Sequence, residues 1–146
     1  MGRKIYLASS WRNPHQPAVL AALREAGHEV YDFRNPEPGN DGFRWSQIGP
    51  DSLRTDPDIF VHHVTTHPTA ASGFKLDKDA LDWADTCVLA LPCGRSAHLE
   101  LGYAVGQGKE TFVLLAREQF EPELMYLLCT GMVTCVVDLI DRLAIR

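Results

Sequence analysis

The sequence predicts a single-domain α/β fold built on a doubly wound sheet of five parallel strands. Three observations lead there: five short β-branched or aliphatic runs, segments of helical period between them, and a length of 146 residues, which suits one domain with one core. The composition agrees. With 45% apolar residues, 23% charged residues and a formal net charge of −5, the chain has the balance of a globular protein, not of a membrane bundle or a disordered segment. No stretch approaches the roughly 18 apolar residues of a membrane span, so no membrane partner is expected. The mild acidity argues against a nucleic-acid polymer as partner, because that binding neutralises many phosphates with clustered Lys and Arg. A small anionic ligand, which needs two or three local charges, stays open.

The strands are expected at residues 4–8, 28–33, 86–91, 111–116 and 133–137. Between the first two, Asn13 is placed to cap a helix, Pro14 to occupy its first position and Gly27 to stop it, with Val19, Leu23 and Ala26 as one apolar stripe. A second helix is expected from Ala97 to Gln107, with Ser96 as cap and Gly108 as stop. Pro122 opens a third, with Leu124, Leu127 and Leu128 as its buried face and Gly131 as its end; a short last helix covers residues 139–143. Residues 35–72 depart from the pattern. They hold five of the nine prolines and three of the six histidines, with little periodicity. A connection of that length is a candidate binding loop or lid.

Cys87, Cys93, Cys129 and Cys135 form two pairs, each with five residues between its members, a spacing of neither zinc nor redox motifs. They are expected as reduced thiols in a cytoplasmic protein. The opening MGRKIYLASS enters a strand directly, without a signal-like apolar stretch, and Tyr6 stands where a myristoylation motif requires Ser or Thr.

Five parallel strands in this length suggest the flavodoxin-like order 2-1-3-4-5, whose chain reverses direction between strands 1 and 3. Ligands of such sheets collect beyond the carboxyl ends of those two strands. The site is therefore expected in Ser9, Ser10, Trp11, Arg12 and Asn13 after strand 1, and in Gly94, Arg95, Ser96, His98 and Glu100 after strand 3. Hydroxyls, two guanidinium groups and a helix N-terminus make this a candidate phosphate site. Neither loop is a Walker motif or a GxGxxG fingerprint. With Ser96 as cap, a capping box would place its carboxylate at position 99, where Leu99 stands, so Glu100 lacks that local role.

The segments KIYLASSWRNP, DKDALDWADTCVL, SAHLELGYAVGQGK and EPELMYLL, in this order over nearly the whole chain, resemble the nucleoside 2-deoxyribosyltransferase family. The Glu-Leu-Gly-Tyr-Ala core around Glu100 is the most specific part. The resemblance implies a flavodoxin-like fold, a homodimer or larger homo-oligomer in which a neighbouring subunit helps complete the pocket, and cleavage of the bond between a nucleobase and C1′ of a deoxyribose. Some members transfer the sugar to another base; a related branch hydrolyses nucleoside 5′-monophosphates. Carried over by residue, Glu100 becomes the nucleophile, Tyr6 the phenol that orients it, and Asp79 the acid that helps protonate the leaving base. Ser10 and Arg12 match phosphate-holding positions of the monophosphate branch, and Arg95 and Ser96 can add to that pocket. Transferases carry an aspartate six residues before the nucleophile, where this chain has Gly94.

The implied chemistry suits these residues. A carboxylate next to C1′ stabilises an oxocarbenium-like transition state and traps it covalently, while an acid held protonated by burial serves the leaving base. Trp11 and Trp45, with Phe43, offer flat faces for stacking a base. His62, His63 and His67 have no acidic cluster beside them and the mechanism needs no metal, so neither metal nor cofactor is expected. The reading is thus an N-glycosidase acting on a nucleoside or nucleoside 5′-monophosphate. Its alternatives are a base-exchanging deoxyribosyltransferase and, in another class, a non-catalytic nucleotide-binding module.

Overall fold

The computed structural model describes residues 2–145. Five strands, β1 (Lys4–Ala8), β2 (Glu29–Tyr31), β3 (Thr86–Ala90), β4 (Glu110–Leu114) and β5 (Gly131–Val133), form one parallel sheet in the order β2-β1-β3-β4-β5. The helices are α1 (Gln16–Glu25), α2 (Pro57–Thr66), α3 (Pro68–Trp83), α4 (Arg95–Gly106) and α5 (Val136–Leu143). The chain divides into two compact units, one of Met1–Asp32 with Leu81–Arg146, the other of Phe33–Ala80. None of the described helices is long and apolar enough to cross a membrane.

The first unit holds the whole sheet. Its central strands are covered on both faces, so β1, β3 and β4 read as continuous apolar runs; all five residues of β3 are buried. Successive side chains point to opposite faces. Ile5, Leu7, Val88, Phe112 and Leu114 pack with Val19 and Leu23 of α1 and Leu139 and Leu143 of α5. The alternate residues, among them Tyr6, Cys87, Leu89 and Val113, face the other way, and α4 buries Ala97, Leu101 and Ala104 against strands β1, β3 and β4.

At the amino end of the sheet the buried Arg3 is fully engaged. Its Nε donates to the Leu143 carbonyl at 2.7 Å and its Nη2 to the Ile145 carbonyl at 2.6 Å, while Nη1 donates to Thr86 Oγ1 at 3.1 Å and to Glu110 Oε2 at 2.5 Å. One guanidinium thus ties the end of α5 to β3 and β4, with its charge paired and its donors satisfied, as a buried cation requires.

The second unit is where expectation and structure differ most. Residues 35–72 are not an open loop: they contain 3-10 turns at Trp45–Gln47 and Asp51–Arg54, the whole of α2 and the start of α3. Pro57 and Pro68 begin helices, the position where a missing N–H costs nothing. The Asp56 carboxylate caps α2 by accepting from Asp58 N at 3.0 Å. Ile48, Leu53 and Ala70 form a small core with Phe43, Trp45, Ile59 and Val64.

Smaller corrections fall in the first unit. Helix α1 starts at Gln16, not at an Asn13 cap, because Asn13 is engaged in the loop before it. Helix α4 is capped by Gly94, and Ser96 sits inside its first turn. Val136 and Val137 open α5 instead of extending β5. The segment after Pro122 forms a 3-10 helix, Leu124–Leu128, which buries Tyr126 and leaves Leu124, Leu127 and Leu128 exposed. A period of three residues turns a different set inward than the α-helical period does.

Candidate active site

The reversal of chain direction between β1 and β3 parts two loops at the carboxyl end of the sheet. Both are anchored on one atom, the carbonyl oxygen of Ala90. Ser9 Oγ donates to it at 2.9 Å and Asn13 Nδ2 at 3.2 Å, and Asn13 Nδ2 also donates to Ser9 Oγ at 3.0 Å. Asn13 Oδ1 accepts from His15 N at 2.8 Å and Ser10 Oγ from Arg12 N at 3.1 Å, which fixes the turn. Ser10 is half-buried on this scaffold, while Trp11 and Arg12 are exposed. His15 pairs with Glu118 from the loop after β4, and hydrogen bonds from Glu118's own backbone N–H and from His15 hold that carboxyl below its usual range.

The second loop leads into α4. Gly94 is its N-cap and has no side chain to engage the first N–H groups; Arg95 and Ser96 follow, exposed. Glu100 lies further along α4, on the helix side turned to β1, where it accepts a hydrogen bond from the hydroxyl of the buried Tyr6. Tyr31, the register partner of Tyr6 on β2, stacks on its ring with centroids 5.3 Å apart and planes at 21°. Cross-strand stacking of this kind fixes a ring in place. Cys93 stands near the same carboxylate: burial first and the charge of Glu100 second push its thiol up to about 12.

Of the residues singled out in the sequence, Tyr6 and Glu100 are hydrogen-bonded to each other, Ser10, Trp11, Arg12 and Gly94 lie on the two loops that begin at the joined ends of β1 and β3, and Arg95 and Ser96 follow in the first turn of α4. Trp45 and Asp79 belong to the second unit. Trp45 meets Phe43 edge-on at 5.1 Å and Phe60 at 5.7 Å, as a member of that unit's core. Asp79 is exposed and accepts from Lys75 Nζ at 2.5 Å, so the burial expected of an acid held protonated is missing there; Asp77 is half-buried. Tyr31 and Tyr126 were not legible in the sequence, since only tertiary pairing gives them a role. Among the described residues no group of three His, Cys, Asp or Glu side chains is placed to hold a metal ion.

Sheet order and loop placement define an α/β protein of the flavodoxin-like class with a phenol-bound carboxylate at its switch point. Among solved structures, a 2-deoxyribosyltransferase from Bacillus psychrosaccharolyticus is similar with a TM-score of 0.64 at 21% identity, over 94% of this chain and 90% of that one. The CMP N-glycosidase of Clostridium botulinum is similar with a TM-score of 0.50 at 19% identity, over 97% and 98%. A conserved protein from Enterococcus faecalis V583 is similar with a TM-score of 0.61 at 13% identity, over 99% and 98%. At these identities the likeness is one of fold. No protein-family model matches the chain, and no curated protein sequence matches it.

Proposed function

We propose that the protein is an N-glycosidase, cleaving the bond between base and sugar of a nucleoside or nucleoside 5′-monophosphate with Glu100 as nucleophile. The hydrogen bond from Tyr6 to Glu100 carries the reading. A phenol donating to the carboxylate holds it in a fixed orientation from which it can approach C1′. In the first step the carboxylate oxygen bonds to C1′ while the C1′–N bond breaks. Its electron pair leaves with the base, which takes a proton from an acid. In the second step water attacks C1′, the ester bond to Glu100 breaks, and the water's proton is lost to a base, releasing the sugar and free enzyme.

The resemblance gives the leaving-base acid as Asp79, but its exposure and its Lys75 partner are those of a surface carboxylate. Asp77 on α3 is half-buried and meets the burial condition for a protonated acid better than Asp79 does. Asp77→Asn is expected to slow base release more than Asp79→Asn does; the reverse order returns the role to Asp79. Ser10, Arg12, Arg95 and Ser96 would hold a 5′-phosphate, and Trp11 would border the base. Gly94 favours hydrolysis over base exchange, because transferases of the resembling family have an aspartate there. A non-catalytic nucleotide module is disfavoured by Glu100 itself, since a carboxylate beside a phosphate site weakens binding of an anion. We further infer a cytoplasmic homo-oligomer, supported by the exposed Leu99, Leu124, Met125, Leu127 and Leu128.

The test is a panel of ribo- and deoxyribonucleosides and their 5′-monophosphates, read by release of free base, with and without a second base. Wild type is expected to release base and free sugar or sugar phosphate, and Glu100→Gln to do so roughly a thousandfold less efficiently. Full activity in Glu100→Gln overturns the mechanism, and a new nucleoside in place of free sugar identifies a transferase.

A further inference from the structure

His98 occupies the first turns of α4, and both of its ring nitrogens have protein partners. Nδ1 lies 2.8 Å from the carbonyl oxygen of Gly94, and Nε2 lies 2.8 Å from the hydroxyl of Tyr126. The tautomer follows from the partners. A carbonyl can only accept, so Nδ1 carries the hydrogen, Nε2 is the acceptor, and the Tyr126 O–H donates to it. The two rings also lie nearly parallel, with centroids 5.8 Å apart and planes at 17°. Tyr126 is 6% exposed, and burial before any neighbouring charge pushes its phenol up to about 12, so it stays a donor. Cys93 Sγ packs 3.8 Å from Nδ1.

The result is a chain of hydrogen bonds from the 3-10 helix at Leu124–Leu128, through His98, to the residue that begins α4. Forming α4 does not require it, because an N-cap carbonyl already accepts the first intrahelical bond. It adds a second restraint to Gly94 at the point where the cap contributes no side chain. Arg95 and Ser96 follow directly, and Glu100 lies on the same helix.

We propose that His98 and Tyr126 form a positioning pair that fixes the first turn of α4 and so sets the separation between a 5′-phosphate held at Arg95 and Ser96 and the carboxylate of Glu100. The pair rests on the reading of this turn as the phosphate subsite. It touches no substrate. Its effect is to distinguish a nucleotide from the matching nucleoside, because only the nucleotide spans both points.

The experiment compares Tyr126→Phe, His98→Asn, His98→Gln and the double variant Tyr126→Phe/His98→Asn with wild type. Asn keeps a donor near the Nδ1 position, and Gln reaches the Nε2 position. Tyr126→Phe is expected to raise KM for the 5′-monophosphate about tenfold, the size of one lost buried hydrogen bond, with kcat and the nucleoside's KM much less affected. Each His98 variant should give the same split, and the double variant should be no worse than the worse single one, as members of one chain behave. Equal losses on nucleotide and nucleoside, or additive losses, overturn the pair. If Tyr126→Phe does not fold, the two His98 variants decide alone. If wild type turns over neither substrate, the glycosidase reading fails and inorganic phosphate becomes the probe. A larger phosphate-induced rise in Tm for wild type than for Tyr126→Phe then supports the pair, and an equal rise or none overturns it.

Discussion

The two ends of the sheet place ionic groups in opposite ways. At the amino end, Arg3 spends its guanidinium on two carbonyls, a hydroxyl and a carboxylate, all belonging to the protein. At the carboxyl end, Arg12 stands exposed on the loop after β1, Arg95 and Ser96 stand exposed in the first turn of α4, and the carboxylate of Glu100 is oriented by the Tyr6 phenol. A buried charge enclosed by protein partners holds a fold together, whereas exposed guanidinium groups at a loop and a helix start are available to a ligand. On this view the amino end supports stability and the carboxyl end chemistry.

Substitutions at each end test that division. Glu100→Gln should have the largest effect, lowering kcat/KM by roughly a thousandfold, about 4 kcal/mol of barrier, without lowering Tm. Arg3→Met should do the converse. It leaves Glu110 and two carbonyls without their donor, and because Glu110 is partly exposed the loss is discounted to about 2–3 kcal/mol, a fall in Tm of roughly 5–10 °C, with activity per folded molecule retained. If thermal unfolding and turnover respond together in either variant, the division fails. Tyr6→Phe comes next: a hydrogen bond to a charged group is worth about 1.5–3 kcal/mol, so kcat should fall roughly 10- to 100-fold with KM nearly constant. The smallest effect sharpens the map of charge. Glu100 disfavours the Cys93 thiolate, so Glu100→Gln should lower that thiol's pKa and speed its alkylation a few-fold at pH 9, with exposed Cys135 as internal control. An unchanged rate would separate the two groups.

How much of this was legible in the sequence varies with burial. The central strands β1, β3 and β4 matched to within a residue or two, because strands covered on both faces read as unbroken apolar runs. The edge was less clear: Val136 and Val137 have strand-forming side chains, yet the spacing of Val136, Leu139, Ile140 and Leu143 is that of a helix face and prevails. Prolines in residues 35–72 suggested a loop because their role depends on position, and Pro57 behind an Asp56 cap starts a helix. At the site, loop placement followed from strand order, and Glu100 from its motif. The partners that orient side chains did not follow. The Tyr31 stack on Tyr6 and the Tyr126 bond to His98 join positions 25 and 28 residues apart, and no local pattern marks such pairs.

Gly94 has a consequence for how this fold can change its chemistry. Its backbone, at φ −103° and ψ −155°, is ordinary extended chain, and a Cβ placed there meets no atom within 4 Å. A side chain can therefore be added at the head of α4 with no backbone adjustment. An aspartate in that place would cap the exposed N–H groups of the helix, worth roughly a few tenths of a kcal/mol over glycine, and would set a negative charge where an anion is proposed to bind. One residue thus separates a turn proposed to accept a phosphate from one that would repel it, and the scaffold loses no stability in the exchange. A lineage could cross between the two substrate classes without passing through a less stable ancestor.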